Sequence, residues 1–184
     1  MRLAQIRRYP VKGFRGHDLG AATFESGRGI PFDRHLALLL PPLPDVANTD
    51  RGTLPYLYLA RNPELARCSV DWDGGEKFVF RFPDDERVAI DTGSASDLDN
   101  LNRALARWFP REGGGPRISL ARPDGGYWDF SDTGLSLINL ATIREIARTA
   151  GRPIDPARFR GNLYLDGVAA WREFDLIGRR IGVG

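Results

Sequence analysis

The stretch CSVDWDGGEKFVFRF, residues 68–82, constrains the fold more than any other part of the chain. Two alternating apolar runs flank Asp-Gly-Gly, and that pattern demands an antiparallel hairpin. RVAIDT, residues 87–92, reads as a further strand. The same punctuation recurs upstream, where glycines at 13, 16, 20, 27 and 29 separate the β-prone pieces LAQIRRY, AATFES and DRHLALLL. LPPLPDVANTDRG is a loop, and YLYLARNPELAR reads as a strand leading to a helical turn. PRISLAR and YWDF are predicted to form another hairpin through PDGG.

Two segments carry helical periodicity instead. SDLDNLNRALARWF places Leu98, Leu101, Leu105 and Trp108 on one face. Ser96 is the predicted N-cap, early aspartates and late arginines suit the helix dipole, and Pro110 ends the run. NLATIREIARTAG has a stripe of Leu140, Ile143, Ile146, Ala147 and Ala150. Thr142 and Glu145 predict a capping box there, and Gly151 and Pro153 a stop. Many short strands with two helices predict a mainly β, α+β domain or a β-barrel. A repeating βαβα alternation and a phosphate-loop fingerprint are both missing, which argues against a doubly wound sheet.

At 184 residues the chain is about one domain in size, with a charged fraction of 27% and a net charge of only +2. No strong field advertises nucleic acid. The longest apolar run, LALLLPPLP, is broken by prolines and is far short of the roughly 20 residues that span a bilayer. The N-terminus has no signal-peptide pattern. A cytoplasmic protein that engages neither nucleic acid nor membrane is expected.

Chemistry-bearing residues are few. Cys68 is the single cysteine, which excludes an internal disulfide and a multi-cysteine metal cluster. Beside Arg67 at a strand start, it reads as buried filler. His17 lies in a glycine-rich loop and His35 in an apolar run, with no metal-binding pairing, and no nucleophile elbow is present. The basic residues say more. Only Lys12 and Lys77 are lysines, and the rest are arginines. Lys12 sits between Pro10 and Gly13, and Arg34 at the mouth of DRHLALLL. Asp132 and Thr133 lie in a turn. Arg158, Arg160 and Asn162 are spaced by two, which predicts one shared face at the start of the strand NLYL. Groups of this kind at strand ends and turns suit an anionic ligand if they converge; otherwise they are solvated loop charges.

Taken in order, YPVKG, FDRHLALL, FSDTGLSLINLATI, RFRGN and GVAAWREFDLIG resemble the MOSC family, named for the C-terminal domain of molybdenum cofactor sulfurase. The resemblance covers nearly the whole chain. It implies a β-barrel-like MOSC fold, with an N-terminal β-barrel region over 1–91 and a MOSC domain over 92–184. It further implies a pterin-based molybdenum cofactor, molybdopterin. Lys12 and Arg34 match residues that hold the cofactor's phosphate-bearing end. Arg160 and Asn162 match positions lining the pterin, with Asp132, Thr133 and Arg158 as further candidates nearby. Many relatives have serine where this chain has Gly13. The family normally continues past IGRRIG with more strands and a molybdenum-ligating cysteine. That part is expected to be lacking here, and Cys68 lies far upstream of it, so no metal ligand is assigned.

By resemblance, the expected function is that of an oxidoreductase of the amidoxime-reducing type. It would act on N-hydroxylated or related small molecules with electrons from a redox donor protein. The alternative is a non-catalytic carrier or binding module for the cofactor or for sulfur. A β-rich scaffold with solvated arginines is the plain third reading.

Overall fold

The computed structural model describes residues 1–24, 29–72, 74–112, 115–119, 126–127 and 134–182. In chain order the elements are β1 (Arg2–Arg8), β2 (His17–Leu19), β3 (Ala37–Leu39), β4 (Ser69–Trp72), β5 (Lys77–Arg81), β6 (Arg87–Asp91), α1 (Ala95–Trp108), β7 (Arg117–Ser119), β8 (Leu137–Asn139), α2 (Leu140–Thr149) and β9 (Leu163–Asp166). The fold is mainly β with few helices, as expected. The expected barrel is corrected: among the described residues the short strands form three open sheets of two to four strands, and none closes into a barrel. No described helix is long and apolar enough to cross a membrane. The chain divides into two compact units. One comprises Met1–Arg8, His17–Pro31 and Thr133–Gly184; the other comprises Tyr9–Gly16 and Phe32–Asp132.

The second unit contains the expected hairpin. β4 pairs antiparallel with β5, Val70 opposite Phe80 and Trp72 opposite Phe78, and β6 adds to the other side of β5. Period-two alternation puts Val70, Phe78, Phe80 and Ile90 into the core. The helix α1 covers β6 and β7 and buries Leu101, Ala104 and Leu105. Each buried leucine contributes roughly 1.5–3 kcal/mol. The cap differs from expectation: Ser94, not Ser96, accepts from the Asp97 amide at 3.3 Å. The reason is the turn after β6, in which the Ser94 amide donates to the Asp91 carbonyl at 3.0 Å and brings Ser94 to the helix start. Strand β7, the first arm of the expected PDGG hairpin, pairs with β3. Residues 123–125 of that turn and 128–130 of YWDF lie outside the described residues.

In the first unit the sheet order is β2-β1-β9-β8. Strands β8 and β9 are parallel, and α2 connects them, so one β–α–β unit exists where the sequence pattern showed no such alternation. With three residues, β8 is too short to carry a period. The cap of α2 is Asn139, whose Oδ1 accepts from the Ala141 amide at 3.0 Å. Thr142 therefore lies inside the first turn rather than capping it. Its hydroxyl donates to Glu173 Oε1 at 2.6 Å and accepts from the Trp171 amide at 2.8 Å. Glu145 instead pairs with Arg148 at 2.6 Å. Of the predicted stripe, Ile143 is buried and Ala150 exposed. Residues 21–24 of AATFES are not in a strand, and its last two residues lie outside the described ones.

Candidate functional site

The second unit gathers two of the predicted residues. Residues 9–12 run beside residues 34–36: the Arg34 amide donates to the Tyr9 carbonyl at 2.7 Å, Leu36 to Pro10 at 2.9 Å, and Lys12 to Leu36 at 2.8 Å. Proline has no amide hydrogen, and here Pro10 contributes only as an acceptor. Phe32 and Arg34 both adopt left-handed backbone, with φ of 65° and 49°. Such residues cost about 1–3 kcal/mol each and persist only where their surroundings hold them.

Those surroundings are specific. The Asp33 side chain is fully buried; it accepts from the Tyr9 amide at 2.6 Å and pairs with the Arg34 guanidinium. Cζ of Arg34 lies 4.7 Å from the Tyr9 ring centroid. Lys12 Nζ donates to the Tyr127 carbonyl at 3.0 Å and lies 4.8 Å from the Tyr56 ring centroid. The Tyr127 amide in turn donates to the Arg34 carbonyl at 2.9 Å. The Lys12 ammonium and the Arg34 main-chain carbonyl, from separate segments, thus meet at one buried tyrosine. The Tyr127 hydroxyl donates to Ser119 Oγ at 2.6 Å, and burial pushes its pKa up, against the pull of that bond. It stays a neutral phenol. Cations held on aromatic faces in a half-buried setting make stronger hydrogen bonds to an anion than they would in water.

Gly13 has φ of 92°, and a Cβ there would lie 3.1 Å from Leu65 Cδ1. A serine at this position would be strained. A scan against family models finds no match to the chain. A search of curated proteins finds none either.

The first unit treats its candidates differently. Asp155 caps a 3-10 turn over Pro156–Phe159 by accepting from the Ala157 amide at 2.9 Å. Arg160 follows in left-handed backbone with φ of 54°, and the strand begins only at Leu163. The expected shared strand face of Arg158, Arg160 and Asn162 is therefore corrected. Pro156 fixes the start of the turn, and two-residue spacing has no meaning outside a strand. Arg158 is exposed and Arg160 half-buried.

Asn162 is fully buried. Its Oδ1 accepts from the Ser136 amide at 3.3 Å and the Ser136 hydroxyl at 3.0 Å, while Nδ2 donates to the Arg7 carbonyl at 3.1 Å. The side chain clasps the end of β1 to the residue before β8. Asp132 and Thr133 lie outside the described residues.

Neither histidine sits in a metal set, and no group of three or more His, Cys, Asp or Glu among the described residues could hold a metal ion. His35 stacks on Trp72 at 5.7 Å. His17 Nε2 faces the Arg8 guanidinium at 3.2 Å. Cys68 is buried, as its sequence context suggests, and burial pushes its thiol up to about 12 while Arg67 pulls it down. A thiol of that kind is protonated at neutral pH and inert. Iodoacetamide is expected to leave Cys68 unmodified in native buffer at pH 8 and to alkylate it fully in denaturant, as read by intact mass. Rapid native labelling would contradict this burial.

Nothing in the sequence pattern marks Asp33, Tyr9 or Tyr127 as site residues. Tyr9 lies in YPVKG and Asp33 in FDRHLALL, but their roles depend on contacts between those two segments. For Tyr127, nothing local signals that its main chain joins two distant segments.

Proposed function

We propose that the chain binds a pterin-based molybdenum cofactor by its phosphate-bearing end, with Lys12 and Arg34 as the anion-holding pair. The observation that carries this reading is that the Lys12 ammonium and the Arg34 main chain both attach to Tyr127, with each cation lying over a tyrosine ring. It accords with membership of the MOSC family, which the ordered motifs resemble. An ammonium and a guanidinium suit a phosphate, the first as a point charge and the second as a fork. When bound, the cofactor supplies redox chemistry at molybdenum, suited to reducing N-hydroxylated compounds with electrons from a donor protein. The residues of this chain bind and orient the anionic end.

A second reading is favoured by one observation. The single cysteine is buried in the core with a raised pKa, so it does not fit as a thiolate for a soft metal. That observation favours a non-catalytic cofactor-binding module.

The test is the pterin that copurifies with the chain from a cofactor-producing host, measured by fluorescence after oxidation, with molybdenum by elemental mass spectrometry. Lys12→Ala and Arg34→Ala are each expected to retain about tenfold less pterin, the size of a lost charge-assisted hydrogen bond. Wild-type pterin content in both folded variants would overturn the proposal. Reduction of an N-hydroxylated base by the loaded chain supports the oxidoreductase reading. Bound pterin without turnover supports the module.

A further inference from the structure

We propose that Asp33 is a positioning residue for an anion held by Arg34: its buried carboxylate, fixed by the Tyr9 amide, sets the direction of the guanidinium. This rests on the reading of the Lys12–Arg34 cluster as an anion site.

Adjacent residues in extended backbone point to opposite faces, so a carboxylate does not normally reach the guanidinium of the next residue. Here the left-handed Arg34, with φ of 49°, turns the chain so that the two meet. Tyr9 closes the triad from both sides. Its amide holds the carboxylate at 2.6 Å, and its ring lies 4.7 Å from the guanidinium carbon. The Arg34 main chain is pinned as well, by the Tyr9 carbonyl at 2.7 Å and the Tyr127 amide at 2.9 Å. A guanidinium carries five N–H donors in a rigid fork, so a carboxylate on one edge fixes where the others aim.

Charge alone predicts the opposite outcome. A carboxylate beside an anion site repels the ligand, so removing it should tighten binding if Asp33 were only a counter-charge. The sign of the effect therefore decides. The probe is inorganic phosphate, titrated calorimetrically into the full chain. Asp33→Asn keeps an oxygen for the Tyr9 amide and loses the charge. We expect it to weaken phosphate binding about fivefold, and to add no further loss on an Arg34→Ala background, because the two act as one unit. Unchanged or tighter binding in Asp33→Asn, whatever its melting temperature, overturns the positioning role and leaves the anion site standing, provided Arg34→Ala still weakens binding. Absence of phosphate binding by the wild-type chain overturns both. Arg34→Lys covers the case in which Asp33→Asn does not fold. It keeps the charge but not the fork, and is expected to bind as weakly as Arg34→Ala; wild-type affinity there overturns the role.

Discussion

Phe80→Ala is expected to cost about 3–5 kcal/mol, the range for truncating a fully buried aromatic ring. Phe80 stands on the central strand β5 between Val70 and Val88, and its ring meets Phe14 edge-on at 6.0 Å and Phe78 at 6.4 Å. Its removal leaves a void that neighbours on a three-stranded sheet cannot fill without breaking the ladder. Because the chain has two units, the effect is best read locally. Amide exchange in residues 69–72 and 77–91 should quicken by roughly 10²- to 10⁴-fold where it is governed by opening of the second unit. A loss under about 1 kcal/mol would mean that Phe80 does not organise this core.

Asn162→Ala is expected to destabilise the first unit by about 2–4 kcal/mol. The Ser136 amide and the Arg7 carbonyl would each lose a side-chain partner, and a buried polar group left unmade costs about 1–3 kcal/mol. Faster exchange should appear at residues 3–7 and 137–139. Asn162→Asp keeps the acceptor for Ser136, loses the donor to Arg7, and brings a charge into a fully buried position. It should be at least as damaging as the alanine. This prediction separates two roles for one residue. If Asn162 acted only by touching a ligand, either variant would keep native exchange rates and lose ligand alone. The bonds to Arg7 and Ser136 predict the reverse order, with stability lost before any ligand is tested.

The legibility of the sequence varied with the range of the forces involved. The hairpin of β4 and β5 was readable because turn residues and alternation lie within fifteen residues of each other. Helix existence was readable for the same reason, while both caps were misplaced. In each case a side chain just upstream, Ser94 or Asn139, was delivered to the helix start by the strand before it. The strand face expected for Arg158 and Arg160 failed because a capped proline turn intervenes. Motif order pointed to Lys12 and Arg34. That they share Tyr127 could not be read locally, since Lys12 and Tyr127 are 115 residues apart.

The sequence by itself determined the β4–β5 hairpin, the strand β6 and the existence of both helices, and that Cys68 is a core residue. Local periodicity and turn chemistry act over a few residues and need no partner to be named. Only the tertiary structure decided which polar groups have chemistry to offer. It spent Asn162 on a clasp whose bond to Arg7 spans 155 residues, and it set Arg34 between a buried carboxylate and a tyrosine face. The reason is physical: a polar side chain takes its role from what remains to satisfy it once water is excluded, and that is known only when distant backbone groups have come to lie beside it.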